Sequence, residues 1–138
     1  MATRRWIIWL CLVVGACATI APFSQTAYEQ ATTLKAEALI LMEKASEQYS
    51  LHKNEAEKVR LDMDTAYEFA KGRPKNELST QQWAIVRDPE RNSLGGFLKR
   101  WEKEGVLNQT FVSEAKKLIA DQLDQISGLE SGKAKPQN

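Results

Sequence analysis

SQTAYEQATTLKAEALILMEKASEQYSLHKNEAEKVRLDMDTAYEFAK, residues 24–71, carries the signature of an α-helical fold. It contains no glycine and no proline, and alanine, leucine, lysine and glutamate, all strong helix formers, dominate it. Helix punctuation stands at both ends. Thr26-Ala27-Tyr28-Glu29 has the form of a capping box, while Phe23 and Tyr28 would staple a start at Ser24 instead. Gly72 and Pro74 supply the stop. As one helix the segment would be roughly 70 Å long at about 1.5 Å per residue. A helix of ordinary composition needs a partner surface at that length.

The apolar spacing shows where such a surface lies. Ala27, Ala31, Leu34, Ala38, Leu41 and Ala45 alternate steps of four and three, a heptad seam. A second four-step reaches Tyr49, and His52, Ala56, Val59, Met63, Ala66 and Ala70 then resume the alternation. The extra step is either a stutter that unwinds supercoil or a break near Tyr49-Ser50-Leu51. Seven of these thirteen seam positions are alanine, so the seam allows close approach but buries little area. Leu39, Ile40 and Met42 widen the apolar face, which predicts packing on more than one neighbour.

Beyond Gly72 the elements shorten. Lys71 to Leu78 reads as a polar loop, and Ser79-Thr80-Gln81-Gln82 as the capped start of a helix through Trp83, Ile85 and Val86. Asp88-Pro89-Glu90 places a cap residue before a proline at a first helical position, and Gly95-Gly96 interrupts or bends the next segment. Phe97, Leu98 and Trp101 form an apolar face ending at Gly105. Asn108 or Thr110 opens a last helix with Val112, Ala115, Leu118, Ile119, Leu123 and Ile126 on one side. Residues 132–138 read as a disordered tail. No segment shows the period-two alternation of a strand. The expectation is an all-α protein: a long N-terminal helix, broken or not near residue 50, packed by two or three shorter helices into one small bundle over residues 26–131.

The opening is of another kind. Arg4 and Arg5 precede eleven apolar residues, Trp6 to Ala16, and a small-residue exit at Gly15-Ala16-Cys17-Ala18, the layout of a secretory signal peptide. Val14-Gly15-Ala16-Cys17 resembles the lipobox of bacterial lipoproteins. The resemblance covers about the first seventeen residues and implies that residues 1–16 are removed and Cys17 is acylated. Residues 17–25 would then be a short tether, and the domain would face the periplasm from the cell envelope. Ala18 in place of an aspartate favours the outer membrane of a Gram-negative cell, again by resemblance. Two other outcomes compete: cleavage after Ala18 to free a soluble periplasmic protein, or an uncleaved anchor over the eighteen residues Trp6 to Phe23, at the short edge of a span.

Composition limits the functions available. No cysteine follows Cys17, so the exported part has no internal disulfide and must be stabilised by packing. Without Arg4 and Arg5 the chain has 17 basic and 18 acidic residues, a net charge of −1, which argues against nucleic acid as a partner. The charge is uneven, with five basic and nine acidic groups over 24–70 and eight and four over 71–103. The simplest reading packs the basic middle on the acidic helix.

Motifs of catalysis do not emerge. His52 is the single histidine, with no cysteine in the folded part and no Glu-x-x-His pair. His52 and Glu55, one turn apart, offer at most two metal ligands; the alternatives are a seam histidine with satisfied polar edges, or a pH-sensitive packing residue. No nucleophile elbow surrounds any serine, and Gly95-Gly96 is not followed by the Gly-Lys-Ser/Thr of a phosphate loop. No cofactor and no metal is expected. The candidate binding surface lies in 71–103: Arg73, Lys75, Trp83, Arg87, Arg91, Lys99, Arg100 and Trp101. Basic side chains among aromatics suit anionic lipid or an arginine- and tryptophan-anchored protein interface. The competing reading makes Trp83, Phe97 and Trp101 the large core residues that an alanine-rich helix requires. The expectation is therefore a lipid-anchored helical envelope protein that binds a membrane surface or an envelope protein, with a coiled-coil spacer between membrane and cell wall as the alternative. The oligomeric state stays open.

Overall fold

Ser24 caps the first helix, accepting a hydrogen bond from the Ala27 amide at 3.3 Å, and Phe23 packs on Tyr28 with ring centroids 6.4 Å apart. That is the stapled start at Ser24, ahead of the capping box at Thr26. The structure, a computed structural model, describes residues 20–133. Residues 1–19, with the signal-like segment, Cys11 and Cys17, and residues 134–138 of the expected tail lie outside the described residues.

The described residues form five helices and no strand: α1 Gln25–Glu43, α2 Lys53–Lys71, α3 Glu77–Arg87, α4 Leu94–Glu104 and α5 Gln109–Ser131. The long helix is broken where the seam takes its second four-step. Between α1 and α2 the chain reverses through two single-turn 3₁₀ segments, Lys44–Ser46 and Tyr49–Leu51. A stutter alone does not require a break, because steps of four and three averaging close to the helical repeat stay on one face. Here the chain instead reverses and folds the two seams onto each other. Twelve of the thirteen seam residues are buried; His52, at the turn, is half-buried. Met42 is fully buried and Leu39 packs against the core, while Ile40 is exposed.

The remaining helices complete an antiparallel bundle of four rods. α5 lies against α1, with Lys35 paired to Asp124 and Lys116 to Glu43. α3 and α4 together form one interrupted rod between α2 and α5, marked by the Arg87–Asp64 pair at 2.9 Å and the Arg60–Glu102 pair at 2.8 Å. Alanines bring α1 and α2 close, and the volume they leave is filled from the far rods by Trp83, Phe97, Leu98 and Trp101, each at most 3% exposed. Trp83 and Trp101 are core.

Several local expectations are corrected. α3 starts at Glu77, not at a cap on Ser79; Ser79 is buried within it and donates to Glu130 Oε1 at 2.6 Å. Asp88-Pro89 forms a turn, not a helix start, with the Glu90 amide donating to Asp88 Oδ1 at 2.9 Å. α4 begins after Ser93, and Gly95 and Gly96 sit in its first turn. A Cβ on Gly95 would strike the Arg87 carbonyl, and one on Gly96 the Arg91 carbonyl. These glycines let the turn lie directly on the helix it feeds. Asn108 caps α5, accepting from the Thr110 amide at 2.8 Å, and Leu118 is exposed where its spacing predicted burial. Lys133, assigned to the tail, is 6% exposed because its ammonium is enclosed by acceptors.

Candidate functional site

The end of the bundle where the described chain begins is built around loop 71–76, between α2 and α3. Lys75 adopts a left-handed conformation (φ 57°), which costs a non-glycine residue about 1–2 kcal/mol. It turns its carbonyl to accept from the Ala21 amide at 2.7 Å. Ala21 is 3% exposed. Next to it Arg73 donates to the Pro22 carbonyl, lies 5.8 Å from the Phe69 ring centroid and approaches Glu130 Oε2 at 3.5 Å. Beneath these, Lys133 Nζ donates to Ser79 Oγ at 2.8 Å, to both Glu130 oxygens at 2.9 and 3.0 Å, and to Asn76 Oδ1. Asn76 in turn donates to the Ala70 carbonyl at 2.9 Å. A buried charge pair is tolerated only when its hydrogen-bonding capacity is met, and here the buried lysine has four contacts.

The opposite end is closed by Trp101. Its ring meets Tyr49 edge-on at 5.4 Å and lies 5.7 Å from His52, and its Nε1–H donates to the Glu47 carbonyl at 3.0 Å. His52 Nε2 stands 2.7 Å from Glu47 and Nδ1 3.3 Å from Glu55. The Glu47 hydrogen bond, aided by Glu55, raises the His52 pKa above its ordinary 6.5. Lys44, followed by His52, holds the Glu55 carboxyl below its usual range. This is the histidine with satisfied polar edges. Among the described residues, no group of three or more His, Cys, Asp or Glu side chains is arranged to hold a metal ion.

An open groove of about 570 Å³ lies between the 89–93 turn, α4 and α5. Its floor is the stacked pair Phe97 and Phe111, with centroids 6.0 Å apart and planes within 6°. Arg100 lies 4.1 Å over the Phe111 ring, and Arg91, Lys99 and Lys103 line the rim with Glu90, Glu104 and Glu114.

The expected binding surface is therefore divided. Arg91, Lys99 and Arg100 come together at the groove; Arg73 and Lys75 lie at the chain-entry end; Trp83 and Trp101 are buried and present no surface. Arg87 is held between Asp64 and the Tyr67 ring, 4.3 Å from its centroid. The basic middle does not pack as a block on the acidic helix. Lys99 pairs with Glu90, Arg91 with Asp88 and Arg100 with Glu104, all within 88–104. Only Arg87 reaches an acid of α2, because exposed pairs are worth about 0–1 kcal/mol and follow packing rather than direct it. Sequence reasoning missed the Glu130–Lys133 network, whose members are distant in the chain and ordinary in composition. It also missed Phe111, a lone aromatic at a helix start.

No helix among the described residues is long and apolar enough to cross a membrane. Comparison of the chain with protein-family models, with curated proteins and with solved structures returned no match.

Proposed function

We propose that the chain is an exported helical protein, tethered through acylated Cys17 in the bacterial cell envelope, and that it acts by binding rather than by catalysis. The observation that carries this reading is where the bundle takes hold of its N-terminal segment. Ala21 is buried and hydrogen-bonded to loop 71–76, and Pro22 is bound by Arg73. An uncleaved anchor would then have only Trp6 to Ile20, fifteen residues or about 22 Å of helix, against a hydrocarbon core of about 30 Å. That weighs against the uncleaved outcome and leaves the lipobox-like exit as the favoured one. The spacer alternative loses support because the seam it requires is buried within one chain. The Phe97–Phe111 groove, with its rim of mixed basic and acidic side chains, supports the binding role and suits an envelope protein partner.

Mass spectrometry of the mature N-terminus in the native host tests the address. An acylated Cys17 is expected; a chain beginning at Thr19 or retaining residues 1–16 overturns it. The binding role is tested by Lys99→Glu with Arg100→Glu, read by cross-linking in cells from a photoreactive residue at Leu118. An unchanged partner profile overturns it.

A further inference from the structure

We propose that the chain-entry end of the bundle, with Lys71 and Lys75 at its rim and Ile20 and Leu78 exposed beside them, is seated on an anionic lipid surface. The inference deepens the tethered reading above and rests on it.

Three observations converge on this end. The first is the reach of the tether. Four residue steps separate Cys17 from the docked Ala21, so the span is at most about 14 Å at about 3.3–3.6 Å per residue. The sequence allowed a tether up to residue 25; docking of Ala21 shortens it to this. With so short a link the bundle cannot turn its far end to the bilayer.

The second is charge. Residues 69–76 carry three basic side chains and no acidic one, although Glu68 and Glu77 border them. Arg73 is committed to Pro22 and Glu130, so Lys71 and Lys75 are the cations that face outward. The far end has no such excess: Glu43, Glu47 and Glu55 stand against Lys44 and Lys53 around the α1–α2 turn, and Glu102 and Glu104 against Arg100 and Lys103 at the end of α4. Cations within a Debye length of an anionic leaflet are attracted to it, and acids are repelled.

The third is exposed apolar surface. Ile20 is 54% and Leu78 52% exposed, and both line the same shallow depression with Lys75 and the half-buried Leu129. Branched apolar side chains beside lysines are the composition of an interfacial contact, in which the apolar groups enter the headgroup region and the ammonium groups meet phosphate.

The test uses the mature chain purified from its membranes and reconstituted into vesicles of phosphatidylcholine alone or of equimolar phosphatidylcholine and phosphatidylglycerol. Backbone hydrogen exchange is followed at both ends. The expected result is that amides of 71–78 exchange at least roughly fivefold more slowly on the anionic vesicles, with residues 46–52 unchanged, by the general link between protection and burial. Lys71→Gln with Lys75→Gln should abolish that difference while the thermal melt of the domain stays unaltered; Lys53→Gln at the far end should not affect it. Protection confined to 46–52, or equal exchange of 71–78 in both lipids, overturns the seat while leaving the lipid anchor intact. An unacylated N-terminus overturns the address instead. The same chain added to the same vesicles then reads the seat separately, and no protection of 71–78 overturns that too.

Discussion

At the end where the chain enters, Lys133 and Glu130 are buried under Asn76, Ser79 and Arg73; at the other end an indole ring, Trp101, fills the corresponding place against Tyr49 and His52. The entry end gathers four chain segments: residues 20–24, loop 71–76, the start of α3 and the end of α5. Their converging backbone ends and carbonyls need donors and acceptors, and a hydrogen-bonded network supplies them. The far end joins the α1–α2 turn, the end of α4, the Gly105 bend and the start of α5, with the Gly105 carbonyl accepting from the Tyr49 amide at 2.7 Å and the Ala45 carbonyl from the Leu107 amide at 2.8 Å. The buried centre there is aromatic, and the contacts of His52 with Glu47 and Glu55 lie around it. The difference teaches that the two ends stabilise the same bundle by unlike means, one fixing register through polar geometry and the other contributing area.

The largest effect is expected at Trp101. Trp101→Ala should lose about 4 kcal/mol, read as a shift of the urea midpoint, since a fully buried aromatic leaves a cavity that the bundle cannot close. A loss under about 1 kcal/mol would place the packing centre elsewhere. At the entry end, Lys133→Met should cost about 3 kcal/mol by leaving Glu130 buried without its cation, and a chain ending at Gly132 should match it. A neutral outcome would reduce the network to a bystander. Between the ends, Gly96→Ala should cost about 2 kcal/mol in the same urea titration, because the added methyl must displace the Arg91 carbonyl from the first turn of α4.

The smallest effect is at His52. Its folded pKa is raised, so its contribution is complete below the unfolded value of 6.5 and is lost as pH rises through the folded value. The melting temperature should therefore fall slightly across that window, and His52→Gln should flatten the slope. Glu55 has the opposite sign: its lowered pKa contributes above the unfolded carboxyl value and is lost only as pH falls through the folded one. A wild-type slope rising with pH near neutrality would contradict the pairing of His52 with Glu47 and Glu55.

Much of the fold was legible because periodicity is a local property. The seam positions, the staple at Ser24, the Asn108 cap and the core faces of α4 and α5 arise from side-chain spacing that any helix must respect. Legibility failed where tertiary contact overrode local preference. Ser79 carries the chemistry of a cap, but Glu130 draws it into the core. Gly95 and Gly96 signal a bend, yet they serve close approach inside a helix. Leu118 has the spacing of a core residue and faces solvent at the groove, while Lys133 has the composition of a tail and is enclosed. The candidate binding residues were legible as types; their division between core, groove and entry end was not.

Local sequence is enough to establish helical character, a seam with one surplus step in the first long segment, and a charged, apolar and small-residue opening that ends at Cys17. The reversal at the surplus step, the burial of Trp83 and Trp101 and the docking of Ala21 come from long-range contacts. The physical reason is that helix formation depends on neighbours three and four residues away. Burial and docking depend on which distant rods supply the missing volume and the missing hydrogen bonds.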